Sequence, residues 1–82
     1  MRMLDPNRKA PVDALQLYLT PREAEELRDG LSVLLRDPEA NEHIHVYDDD
    51  MSRELSCSLV TGAKLRDLSG YTKLERRILS QD

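Results

Sequence analysis

His43-Ile44-His45-Val46-Tyr47-Asp48-Asp49-Asp50-Met51-Ser52-Arg53-Glu54-Leu55-Ser56-Cys57-Ser58 is the stretch that decides how this chain folds. Polar and apolar side chains alternate on both sides of a short polar break. A strand sends successive side chains to opposite faces, so the two arms, about Glu42–Asp48 and Arg53–Thr61, read as a hairpin closed by Asp49-Asp50-Met51-Ser52. The apolar faces must coincide, because a slip of one residue turns every side chain over. That requirement pairs Val46 with Leu55 and Ile44 with Cys57. It then sets Tyr47 opposite Glu54, His45 opposite Ser56 and His43 opposite Ser58.

Upstream, Leu15, Leu17 and Leu19 alternate with Ala14, Gln16 and Tyr18, which predicts a further half-buried strand beginning at Asp13. A strong helix start follows it. Thr20 is a capping residue, Pro21 suits the first helical position, and Glu23 completes a capping box three residues after Thr20. The helix is expected over Pro21–Arg36, with Ala24, Leu27, Leu31, Leu34 and Leu35 as its apolar stripe. Pro38 disfavours helical geometry at Asp37 and ends it. Past the hairpin, Leu65 and Leu68 lie in a less regular segment. Thr72-Lys73-Leu74-Glu75 then repeats the capping box and starts a short helix, about Lys73–Ser80.

The element order β-α-β-β-α predicts an α+β two-layer sandwich: a three-stranded mixed sheet with its helices on one face. Residues 1–12 hold Pro6, Pro11 and no periodicity and read as a flexible N-terminal arm, leaving 13–82 as a single α+β domain. With 82 residues, 39 % apolar content and neither Phe nor Trp, the core must come from Leu, Ile, Val and Ala. So small a core gains from self-association, which makes a homodimer a natural expectation.

Charge and composition narrow the function classes. The formal net charge is −4, from 16 acidic and 12 basic residues. Nucleic-acid binders carry a basic excess or stripe, so no nucleic-acid partner is expected. No apolar run approaches the ~20 residues that span a bilayer, and the start holds no signal-peptide segment. A cytoplasmic protein without a membrane partner is the expectation. The single cysteine, Cys57, excludes an internal disulfide and alternates with Leu55 and Leu59 toward the core.

With the leucines covered by helices, the other sheet face displays Gln16, Tyr18, His43, His45, Tyr47, Glu54, Ser56 and Ser58. Three readings compete for it. His43 and His45, two apart on one strand, stand close enough to share a metal ion, with Glu54 or one of Asp48–Asp50 as a further ligand. A zinc-type ion wants three or four ligands, and the spacing does not demand the third. A hydrolytic site would use one histidine as general acid or base, but no nucleophile motif, phosphate cradle or pocket accompanies it. The third reading is recognition: Tyr18, His43, His45, Tyr47 and Glu54 form an amphipathic surface suited to a protein partner or a second copy. Asp48–Asp50 and Glu42 would steer a basic partner toward it. Recognition without catalysis or cofactor ranks first, and a metal-binding or metal-dependent hydrolytic site at the His-x-His strand is the alternative.

Leu19-Thr20-Pro21-Arg22-Glu23-Ala24-Glu25-Glu26-Leu27, Leu34-Leu35-Arg36-Asp37-Pro38, His43-Ile44-His45-Val46 and Glu54-Leu55 together resemble small bacterial proteins. Some of those are similar to the immunity proteins that neutralise polymorphic toxins. The resemblance spans roughly residues 15–60, with the His-x-His strand, the acids after it and Glu-Leu as its specific part. It implies a bacterial cytosolic protein that binds a toxin domain and catalyses nothing.

Overall fold

A computed structural model describes residues 1–81 as two compact units, Tyr18–Thr61 and a second made of Met1–Leu17 with the chain from Gly62 onward. The architecture is α+β, with small antiparallel sheets and three helices among the described residues. In chain order the elements are β1 (Leu4–Asp5), β2 (Ala10–Pro11), α1 (Pro21–Arg36), β3 (His43–Tyr47), β4 (Glu54–Ser58), α2 (Gly62–Arg66) and α3 (Lys73–Leu79).

In the unit Tyr18–Thr61 the capping box starts α1 as the sequence implies. The Glu23 N–H donates to Thr20 Oγ1 at 3.2 Å, and the Thr20 N–H donates to Glu23 Oε1 at 2.8 Å. Two of the orphan donors at the helix start are thereby satisfied reciprocally. The Asp37 N–H closes the helix on the Leu34 carbonyl. Strands β3 and β4 then pair in the expected register: Val46 with Leu55, Ile44 with Cys57, Tyr47 with Glu54, His45 with Ser56, His43 with Ser58. Helix α1 packs on β3. Leu34 and Val46 are buried, while Ile44, Leu55 and Cys57 are half-buried.

The contact is closest at Gly30. A Cβ there would overlap Ile44 Cδ1 and lie 3.3 Å from Ile44 Cβ. Glycine, a poor helix interior residue by propensity, is what lets α1 approach the hairpin this closely.

The expected first strand is not formed. Residues 14–20 are irregular and enter neither sheet, so the structure has two two-stranded sheets in place of one three-stranded mixed sheet. Leu15, Leu17 and Leu19 remain 56, 49 and 39 % exposed. The helix stripe is narrower for the same reason. A two-stranded ribbon, its strands about 4.8 Å apart, covers only the row Leu27, Gly30 and Leu34, and leaves Ala24, Leu31 and Leu35 exposed.

In the other unit the N-terminal residues form a small hairpin, with Leu4 opposite Pro11 and Asp5 opposite Ala10. Asp5 Oδ1 accepts the N–H groups of Asn7 and Arg8 across its turn, and Lys9 takes the left-handed φ of 55°. Two arginines tie this segment to the C-terminal helix. Arg2 Nε donates to the Leu79 carbonyl and an Arg77 guanidinium N–H to the Lys9 carbonyl. Helix α3 carries the second capping box, Thr72 with Glu75, and buries Ile78. The five-residue α2 falls where the sequence reads as irregular.

Candidate functional site

The outward face of the β3–β4 hairpin holds the candidate site. His43, His45 and Tyr47 alternate along β3 and their rings meet. His43 and His45 lie edge to face with centroids 4.7 Å apart, and His45 stacks near-parallel on Tyr47 at 6.0 Å. Both arrangements suit the quadrupole of aromatic rings. Glu54, beside Tyr47 in the register, reaches diagonally to His45: Nδ1 and Glu54 Oε1 are 2.6 Å apart. A carboxylate only accepts, so Nδ1 carries the proton of this bond. The imidazole is thereby held in plane and tautomer. His43, His45 and Glu54 are exposed and Tyr47 is half-buried.

Four of the five expected recognition residues, His43, His45, Tyr47 and Glu54, are therefore brought together. Tyr18 is 87 % exposed but belongs to no strand, so the sheet does not align it with them. As for a metal, no group of three or more His, Cys, Asp or Glu side chains among the described residues is arranged to hold an ion. Burial raises the Cys57 thiol above its ordinary pKa, keeping it protonated on the inner face.

The acids after β3 also build the turn. Asp48 Oδ1 accepts the Arg53 N–H at 3.0 Å and Oδ2 accepts the Ser52 hydroxyl at 3.1 Å, while Asp50 Oδ1 accepts the Ser52 N–H. The Arg53 N–H bond, helped by those of Ser52, holds the Asp48 carboxyl below the usual carboxylate range. Met51, at φ 60°, occupies the left-handed position of the turn.

Arg22 is the residue that sequence reasoning missed. Its guanidinium bonds Glu26 on its own helix, Asp49 Oδ1 at 2.8 Å and the Tyr47 carbonyl at 3.2 Å. It clamps the start of α1 to the end of β3. Glu26, four residues on, was the one available signal. A shallow depression lined by Arg22, Glu26, Tyr47, Asp48, Asp49 and Met51 lies at this clamp, its charged groups largely engaged with one another.

No described helix is long and apolar enough to cross a membrane. No family model, curated protein or solved structure matches this chain.

Proposed function

We propose that this chain is a small non-enzymatic protein-binding domain that uses the outward face of the β3–β4 hairpin, in a role of the immunity-protein kind. The stacked row His43–His45–Tyr47 with His45 tied to Glu54 is the observation that carries the reading. Rings held by one another and by a carboxylate lose little conformational freedom on meeting a partner, and pre-organisation of this sort favours association. The fixed tautomer makes Nε2 of neutral His45 an acceptor. A partner presenting an N–H or O–H donor above an apolar rim fits it. The face is flat and open to water, which suits recognition better than chemistry.

The test is site-specific photo-crosslinking in bacterial cells that produce the protein naturally. A photoreactive residue at Ser56, on the ring face, should give one predominant adduct to a protein other than this chain. The same residue at Arg28, on the solvent side of α1, should not. His45→Ala and Tyr47→Ala should each abolish the Ser56 adduct while leaving far-ultraviolet circular dichroism unchanged. An adduct to a different protein that survives both substitutions, or the absence of any adduct to a different protein, overturns the proposal.

A further inference from the structure

We infer that two copies of this chain associate by reciprocal strand addition, residues 13–19 of each lying along the free edge of β4 in the other. The backbone shows that edge to be open. The Asp48 N–H donates to the Arg53 carbonyl, which makes 48 and 53 a hydrogen-bonded pair. Such pairs alternate along an antiparallel ladder, so Val46–Leu55 and Ile44–Cys57 are bonded pairs. Glu54, Ser56 and Ser58 consequently turn their own N–H and C=O groups outward. The corresponding edge of β3 is partly closed, since Arg22 donates to the Tyr47 carbonyl. Among the described residues no hydrogen bond is made to the outward groups of β4, and Glu54–Ser58 contains neither the lysine nor the proline with which proteins blunt an exposed edge.

The same chain carries the complementary piece. Residues 13–19 have the period-two pattern of a strand, contain no Pro or Gly, and make no hydrogen bond among the described residues. Leu17 is the last residue of one compact unit's first segment and Tyr18 the first of the other. Leu15, Leu17 and Leu19 share one side of that pattern, as Leu55 and Cys57 share the inner side of β4. Added to β4 in phase, the leucines would continue the apolar layer and lose the exposure they have in a single copy. Each copy offers one edge and one strand, so a two-fold dimer satisfies both and closes. A two-stranded hairpin is marginal in water, and a third strand is the usual remedy. In that phase Gln16 and Tyr18 of the second copy join the outward face beside Glu54 and Ser56. The association itself does not depend on that face binding another protein.

The experiment is sedimentation velocity of the full chain from micromolar to millimolar concentration, with helicity followed in parallel. Wild type should reach twice the 9.4 kDa of one chain. The double substitution Leu15→Lys, Leu17→Lys should be monomeric at every concentration with helicity intact, because neither side chain is buried in a single copy. Ser56→Pro removes an outward N–H that no intrachain bond uses and should also be monomeric. Mixing the two variants restores one intact strand–edge pair and should yield a heterodimer. His45→Ala should leave the dimer in place, which separates this inference from the proposed recognition face. A wild type that stays monomeric, a dimer that survives either set of substitutions, or variants that do not pair on mixing would each overturn it. Should Ser56→Pro unfold, Ser56→Lys, with its side chain beside the incoming strand, must weaken the dimer at least tenfold.

Discussion

Replacing Gly30 with alanine sets two opposing effects against each other at one atom. In a helix interior alanine is favoured over glycine by about 1 kcal/mol. Against that, the new methyl would overlap Ile44 Cδ1 and stand 3.3 and 3.4 Å from Ile44 Cβ and Cγ1. Cδ1 is the severe overlap, and swinging it away takes the Ile44 side chain out of its packed rotamer; the Cβ and Cγ1 distances ask only a few tenths of an ångström of the strand. Overpacking of this kind costs about 1–3 kcal/mol, and the expected net effect of Gly30→Ala is a loss of about 1 kcal/mol. Ile44→Val deletes Cδ1 and alone costs about 0.5–1.5 kcal/mol, toward the low end because Ile44 is half-buried. In that background Gly30→Ala should be neutral or stabilising, since the worst overlap has gone while the helical preference remains. The coupling across the cycle should thus reach about 1 kcal/mol in the sense of mutual relief. Urea titration of the four proteins, followed by circular dichroism at a helix band, measures it. A Gly30→Ala protein stabilised by the full helical preference, with no coupling to position 44, would refute the close approach of α1 and β3.

The Asp48 turn makes a pH prediction. Its carboxyl is held below its ordinary range by the Arg53 N–H first and by Ser52, so the stability it contributes is present above the unfolded-state pKa and disappears as pH falls through the lower folded value. Asp48→Asn should flatten the acid limb of the stability profile below about pH 4, as read by thermal melts at stepped pH; an unchanged limb would dismiss the turn's role. At the helix starts, Thr20→Ala should cost about 0.5–2 kcal/mol while Thr20→Asp should restore most of it, measured by urea titration. The same substitution at Thr72 should remove signal from the seven-residue α3, observed as lost amide protection over Lys73–Leu79.

What the sequence made legible was whatever depends on neighbours along the chain. Thr20 with Glu23 and Thr72 with Glu75 specify helix starts by bonds within one turn, and both formed. The hairpin register followed from matching the apolar faces of two segments joined by a short loop, and His43, His45, Tyr47 and Glu54 were placed together by that register alone. The diagonal His45–Glu54 bond and the ring stack depend on side-chain rotamers, about which alternation is silent. Arg22 was hidden for another reason: its partners Asp49 and the Tyr47 carbonyl lie 27 and 25 residues away. Composition reports the charge of the aspartates; that they also accept turn N–H groups and the Arg22 guanidinium is visible only in the structure. Gly30 is a weak helix residue by propensity, and only the position of Ile44 explains it.

The segment from Asp13 to Leu19 marks where that kind of reading ends. Period-two alternation states which side chains share a face if the backbone is extended; it does not say which edge will receive the backbone's hydrogen bonds. For β3 and β4 the short turn supplies the partner at small loop-closure cost. For residues 13–19 no such loop exists, since a sixteen-residue helix separates them from β3, and the partner is left to tertiary or quaternary contacts. The narrow apolar row on α1 is a second consequence of the same gap: with only two strands beneath it, Leu31 and Leu35 stay 37 and 64 % exposed. Among the described residues only Leu34, Val46 and Ile78 are buried apolar side chains, far fewer than the leucines this sequence sets in phase. Burial of apolar area is the main favourable term in folding, so the exposed leucines around residues 13–19 and along α1 are where a further contact gains most. An additional strand against β4 would use that apolar surface and the unpaired backbone groups at once.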